Sequence, residues 1–359
     1  MLCNDLHSAL RPLLARYEQV CIVRSEGVKE LKSEGVKELV LRTSEQTKSI
    51  ETVTQIWDFL FAQEMTRRGL LIAIGGGVLT DLAGFAAATY KRGIDYITVP
   101  TTLLSMVDAA SGGKTGFNYH GLKNSIGVFA PPAETLIWPG WLQTLPTEQV
   151  LSGFGEMLKT GLIDNVQCTM NNEQSLWYSL MQYDLDTMPI ETLTPLIDSC
   201  VRAKEKIVAA DPHETGLRKV LNFGHTFGHA LEEFSIQHSA FSIQHSEISI
   251  QPSAISHQLP HGYAVVYGLI AELYLSVTKL GCPKEPLQQL TQLMLHYYGK
   301  PLCKCSDRAQ LIALMQQDKK NERAAEINCT LIKNIGEPVI NQVISPDEAD
   351  EALEYLFAL

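Results

Sequence analysis

Apolar and polar positions follow two regimes along the chain. Up to residue 150, short apolar runs alternate with amphipathic stretches. The runs Val20–Arg24, Glu38–Leu41, Gly69–Ile74 and Asp95–Pro100 predict buried strands, and Glu51–Arg68 and Asp81–Lys91 predict helices. Strands alternating with helices predict a parallel sheet of the Rossmann-like, nucleotide-binding α/β type. From Leu151 onward the pattern turns helical, with amphipathic stretches over Pro189–Ala210, Tyr263–Leu280 and Pro286–Tyr298. The segment Leu142–Gly153 carries a proline and a glycine and reads as a junction. The expected organisation is an α/β nucleotide-binding domain over 1–150 and a mainly α-helical metal- and substrate-binding domain over 151–359.

Composition narrows this picture. The 359 residues are 45% hydrophobic and 19% charged, as in a globular protein, and the formal net charge is −11. That charge argues against a nucleic-acid surface but leaves room for a local basic pocket. No apolar run is expected to reach the length of a membrane span, and the N-terminus lacks the apolar core of a signal peptide, so a cytoplasmic protein is expected. The 8 scattered cysteines suit reduced thiols, and the Cys303–Cys305 pair has no second pair nearby to complete a metal site. SEGVKEL occurs at Ser25–Leu31 and Ser33–Leu39, and FSIQHSA at Phe234–Ala240 is followed by FSIQHSE and degraded copies. These read as duplications in surface loops, and His238, His245 and His257 follow the repeat unit, not a coordination geometry.

Five stretches carry candidate chemistry. LLIAIGGGVLTD (Leu70–Asp81) runs an apolar strand into three glycines and a helix, which suits either a pyrophosphate or a plain tight turn. Asp81 is read there as a first-turn residue, either a cap or a partner for a ribose hydroxyl. DAASGGKTGFN (Asp108–Asn118) imitates a P-loop but has Asp108 where the first glycine belongs, which leaves Lys114 as an anion contact or a solvated lysine. In GFGEMLK, Glu156 and Lys159 share a helix face, as a metal ligand beside a substrate lysine or as a surface ion pair. LNFGHTFGHALE stacks His225 and His229 on one face, as half of a metal site or as one ligand plus a proton-transfer group, in too apolar a stretch for a solvated surface. LPHG sets His261 near the start of a long apolar helix, as a ligand or a cap.

In combination, GGGVxxD, VPTTLLSMVDAASGGKTG, GLKNSIG, SGFGEMLKTG, LRKVLNFGHTFGHALE and LPHG resemble the 3-dehydroquinate synthase family, within the sugar-phosphate cyclases. The resemblance runs from about Glu38 to Leu331. It implies an NAD-binding domain, a helical metal domain and an active site in the cleft between them. It assigns the metal, Zn²⁺ or Co²⁺, to Glu156, His225 and His261, a set that leaves a coordination position open. It assigns NAD to Glu45 and Lys48, to Gly77, Val78, Leu79, Thr80 and Asp81, to Thr101 and Thr102, and to Lys114 and Lys123. The substrate set falls on Arg92, Asp108, Asn124, Lys159, Lys204, Arg218, Asn222 and His229, with one more lysine from Asp318-Lys319-Lys320. An anionic sugar phosphate needs such a cationic cluster. The implied cycle is metal-assisted deprotonation, hydride transfer to NAD⁺, phosphate elimination, hydride return, and ring opening followed by an aldol closure. His229 orients the phosphate or relays a proton. The resemblance also implies a homodimer. Related readings are another sugar-phosphate cyclase, a metal-dependent polyol dehydrogenase, or a binding protein with a decayed site.

Two positions depart from the family pattern. Thr80 replaces a glycine in the nucleotide loop and is expected to tighten or tilt the pyrophosphate contact. Tyr263 replaces a glutamate after His261, so the carboxylate supporting the metal is expected to be absent. The repeat insert Phe234–His257 lies between His225 and His261 and is expected to loop away from the site.

Overall fold

The structure, a computed structural model, describes residues 1–29, 35–120, 122–164, 175–237, 242–244, 258–302, 305–317, 321 and 326–359. Residues 30–34 of the first repeat, most of the second repeat, Cys303 and the Asp318–Lys320 stretch lie outside the described residues. The chain divides into two compact units. One comprises Met1–Leu145 with Ile190–Glu205, the other Pro146–Pro189 with Lys206–Leu359.

The first unit is built on strands β1 (Val20–Ser25), β2 (Lys37–Leu41), β3 (Leu70–Gly75) and β4 (Asp95–Pro100). Together with the short β7 (Glu134–Thr135) they pair in parallel, in the order β2-β1-β3-β4-β7. Alternation along these strands separates two apolar layers. Cys21, Val23, Leu71 and Ala73 face α2 (Ile50–Ala62) and α3 (Gly77–Thr89), packing against Val53, Ile56, Leu60, Leu79 and Leu82. Ile22, Leu70, Ile72, Ile74, Ile97 and Val99 cover the opposite face with Leu6, Leu10 and Leu13 of α1 (Leu6–Leu14). A sheet buried on both faces accounts for the continuous apolar run LLIAI of β3. Strands β5 (Lys114–Tyr119) and β6 (Leu122–Phe129) form a separate antiparallel hairpin that the apolar pattern does not announce.

Two helix boundaries differ from expectation. Helix α2 stops at Ala62, short of Arg68, because Glu64 takes a left-handed φ of 51° and turns Met65 into the core. Helix α3 begins at Gly77, with Gly76 as its N-cap. Asp81 therefore sits in the second turn and does not cap the helix.

The second unit is mainly helical. Its elements are α4 (Thr147–Ile163), α5 (Leu176–Met181), the end of α6 (Ile190–Ala210), α7 (His225–Gln237), α8 (His261–Leu280), α9 (Glu285–Leu293), α10 (Cys305–Gln316) and α11 (Pro346–Ala358). Two small antiparallel pairs accompany them, β8 (Ser242–Gln244) with β9 (Lys300–Leu302) and β10 (Ile327–Ile332) with β11 (Pro338–Ile344). Contrary to expectation, one segment does reach membrane-span length. The 20 residues of α8 have a mean hydropathy of 1.3 in their most apolar window. That window is 72% buried inside the unit, so α8 is a core helix here. Its apolar girth meets α4, α7 and α11.

Candidate functional site

Three helices of the second unit bring Glu156, His225 and His261 together. Small residues let them approach: a Cβ on Gly262 would stand 1.8 Å from Ser152 O of α4, and one on Gly155 would stand 2.4 Å from Gly262 O. A Cβ on Gly268 would stand 1.9 Å from Gly224 O. Only glycine allows α8 to meet α4 and the start of α7 backbone to backbone. Gly155, Gly224 and Gly262 each adjoin a member of the triad, so the close contacts fix the positions of the three side chains.

The donor atoms converge on one carboxylate oxygen. His261 Nε2 lies 3.1 Å and His225 Nε2 3.4 Å from Glu156 Oε1. One ligand atom from each residue falls within 4.8 Å of the others. His225 Nδ1 lies 3.0 Å from Phe223 O, which can only accept, so Nδ1 carries the proton and the neutral ring turns its Nε2 lone pair inward. His261 Nδ1 lies 3.3 Å from Glu232 Oε2. This corrects the expectation that no supporting carboxylate survives the loss of glutamate at position 263. Glu232 supplies it from α7, two turns beyond His225 and on the same helix face.

Electrostatics agree with a cation site. Burial opposes ionisation of Glu156, but Lys159 and His225 outweigh it and hold the carboxylate well below its usual range. Lys159 pairs with the other oxygen, Oε2; both residues are buried, so this is no surface ion pair. Burial pushes the His225 ring down, against the pull of Glu156. Burial also disfavours a charged His261, yet Glu232 and Glu156 raise its pKa to about 10. Two imidazole nitrogens and a carboxylate, each braced from behind, fit a divalent zinc-like ion.

His229 packs against this group without belonging to it. Its ring centroid lies 5.2 Å from that of His225 and 6.2 Å from that of His261. Nearby in sequence, Asp211 organises the loop that carries Arg218, accepting from the backbone N–H groups of Thr215, Gly216 and Arg218. Those bonds, the Gly216 one foremost, lower its pKa to about 2. Arg218 is buried and donates to Pro212 O at 2.8 Å. Asn222 donates to Glu214 at 3.2 Å.

In the first unit, the nucleotide candidates gather at the C-terminal ends of β2, β3 and β4, where open parallel sheets bind ligands. Lys48 Nζ donates to Asp81 Oδ2 at 2.6 Å and to Asn124 Oδ1 at 2.5 Å. Burial raises the Asp81 pKa to about 6, with Lys48 pulling against it. Asn118, which no motif singles out, completes the cluster: its side chain donates to Glu45 Oε1 at 2.7 Å and accepts from Asn124 N–H at 2.8 Å. Thr80 is buried, and its hydroxyl donates back to Gly77 O at 3.0 Å within α3. Leu79 is a core residue, Val78 packs beside it, and Gly77 opens the helix. Thr101 N–H donates to Gly75 O at 3.0 Å, and Thr102 bonds to Ser105 at 2.8 Å. Lys114 is exposed and lines a recess with Thr80, Asp81 and Tyr96; Lys123 is half-buried on β6. Lys204 Nζ donates to Asp108 Oδ1 at 2.6 Å and to its carbonyl oxygen. Arg92 is exposed and left-handed with φ 69°.

Comparison with known proteins agrees with this arrangement. The family models described as 3-dehydroquinate synthase N-terminal and C-terminal match residues 38–152 and 153–321. A 3-dehydroquinate synthase of Parabacteroides distasonis is 39% identical over 99% of this chain and 96% of its own length. One from Streptococcus pyogenes is 38% identical over 77% of this chain and 70% of its own. Among solved structures, a 2-epi-5-epi-valiolone synthase from Streptomyces hygroscopicus subsp. jinggangensis, with NAD⁺ and Zn²⁺ bound, superposes with a TM-score of 0.77 and 25% identity, covering 99% of this chain and 95% of that one. An iron-containing alcohol dehydrogenase from Thermococcus thioreducens shares the fold at a TM-score of 0.67 and 13% identity, covering 100% of this chain and 97% of that one. On the two family matches and the near full-length relative, the chain belongs to the 3-dehydroquinate synthase family.

Proposed function

We propose that this chain is a working 3-dehydroquinate synthase, a carbon–oxygen lyase of the shikimate route to chorismate and the aromatic amino acids. It converts 3-deoxy-D-arabino-heptulosonate 7-phosphate to 3-dehydroquinate and phosphate, with NAD and one divalent metal ion. The observation that carries this reading is the convergence of one ligand atom each from Glu156, His225 and His261 within 4.8 Å of one another. Glu156, His225 and His261 hold the ion, and the nucleotide cluster of the first unit holds NAD. A bound Zn²⁺ or Co²⁺ would supply Lewis acidity toward a substrate hydroxyl, and bound NAD⁺ would supply a reversible hydride acceptor.

The chain's own groups supply binding, orientation and proton handling. Lys159 keeps Glu156 ionised and presents a buried cation to the substrate. Lys204 and Arg218 add positive charge for a ligand carrying a carboxylate and a phosphate, with Arg92, Asp108, Asn124 and Asn222 orienting its hydroxyls and phosphate. His229, one helical turn from His225, orients the phosphate or moves a proton. Lys48, Asp81, Glu45, Thr101, Thr102, Lys114 and Lys123 hold the nucleotide, with the backbone of Gly77–Thr80 facing its pyrophosphate. The reading includes a cytoplasmic homodimer with neither nucleic acid nor membrane as partner, in keeping with the net charge of −11.

The direct test is phosphate release from the heptulosonate phosphate. Turnover should require NAD⁺, stop with a chelator, and leave no net NADH. Activity that survives removal of both NAD⁺ and metal contradicts the reading, and stoichiometric NADH identifies a simple dehydrogenase instead.

A further inference from the structure

Glu272 lies on α8, is 0% exposed, and belongs to none of the motifs that carry the metal ligands. Its Oε2 accepts the Gly224 N–H at 2.7 Å and its Oε1 accepts the Thr226 N–H at 3.1 Å. Those two amides flank His225. Because α7 begins at His225, they are N-terminal donors with no partner inside their own helix. Helix α8 in turn begins at His261. One buried carboxylate thus ties the helix end that carries one metal ligand to the helix that starts with another. Its charge also offsets the positive end of the α7 dipole, which otherwise disfavours a cation beside His225.

We infer that Glu272 is a positioning residue for the metal site: it fixes the His225 backbone against α8 and neutralises the α7 terminus, and so raises affinity for a divalent ion. This rests on the reading that Glu156, His225 and His261 bind such an ion. Gly268, whose Cβ would meet Gly224 O at 1.9 Å, supplies the close contact, and Glu272 supplies the polar clamp one helical turn further on.

The test titrates the metal-free full-length chain with Co²⁺, reading the visible d–d bands and the Kd by chelator competition. Glu272→Ala should bind Co²⁺ about 10-fold more weakly, the lower end of what supporting contacts contribute, with altered bands. Glu272→Gln keeps the volume and one acceptor, so it should fall between Ala and wild type; it carries the test if the alanine variant does not fold. Leu275→Ala, a core truncation on the same helix, should lower the unfolding midpoint while leaving the Kd and bands unchanged. Wild-type affinity and bands in both Glu272 variants overturn the inference. So does an equal loss of affinity in Leu275→Ala, which makes the effect one of general stability. A wild-type chain that takes up no Co²⁺ overturns the metal reading itself, and this inference with it.

Discussion

In the second unit, Glu156, His225 and His261 stand on three long helices that touch backbone to backbone at glycines. In the first unit, Lys48 comes from a loop, Asp81 from the second turn of α3, and Asn118 and Asn124 from a hairpin, and hydrogen bonds of their side chains hold them together. A metal ion accepts little error in ligand position, and rigid helix crossings supply the needed precision. A nucleotide that arrives and leaves needs partners that can exchange, and the Lys48 bonds to Asp81 and Asn124 can be traded for bonds to a ligand. The contrast is between positions set by packing and positions set by polar contacts.

The sharpest way to break the contrast is at Glu156. Glu156→Gln should abolish tight metal binding and reduce turnover about a thousandfold, since a Lewis-acid metal contributes several kcal/mol to a barrier. It also leaves Lys159 without its buried counter-ion, at a stability cost of about 3–5 kcal/mol read by urea unfolding. Next come the glycines. Gly268→Ala should destabilise the chain by about 1–3 kcal/mol and weaken metal binding, because its Cβ runs into backbone. Gly76→Ala, whose Cβ meets only the Thr102 side chain from 3.4 Å outward, should cost less, about 1 kcal/mol or under, the N-cap preference for glycine over alanine. Equal costs at the two glycines contradict the distinction. Lys48→Met should raise the Kd for NAD⁺ about tenfold, the scale of one charged hydrogen bond, and leave metal content unchanged.

Two aspartates give pH dependences that run in opposite directions. Asp81 has a folded pKa of about 6, raised by burial above its unfolded value. The native state holds that proton more tightly, so the contribution of Asp81 to stability falls as pH rises from about 4 to about 6. Asp81→Asn should gain on wild type across that window. Asp211 has a folded pKa of about 2, lowered by backbone N–H donors. Its stabilisation is complete above its unfolded pKa of about 4 and is lost as pH falls towards 2. Asp211→Asn should be less stable than wild type at pH 6, with the gap closing on acidification. Chemical unfolding at stepped pH measures both.

Much of this was legible in the sequence because local periodicity and sheet topology cooperate. The alternation of strands and helices predicts the parallel sheet, and that sheet gathers Thr43–Lys48, Gly75–Gly77 and Thr101–Thr102 at one edge. The HxxxH spacing predicts a shared helix face, yet spacing alone cannot say which ring meets Glu156; the close approach of α7 and α8 at Gly224 and Gly268 decides it. Glu232 was missed because the supporting carboxylate was sought beside His261 in the chain, although its position two turns beyond His225 was a readable signal. Asn118 was missed because the β5–β6 hairpin is glycine-rich and exposes Leu122 and Phe129, so it carries no clear apolar alternation. Glu272 gave no motif signal, since a lone acid in an apolar helix declares itself only when its partners are seen.

The division of labour between the two histidines of α7 is the central claim, and Co²⁺ binding tests it most directly. The account predicts that His225→Ala loses the cobalt d–d bands and tight binding, while His229→Ala keeps both and loses turnover. A His229→Ala chain that loses its cobalt, or a His225→Ala chain that retains it, contradicts the assignment.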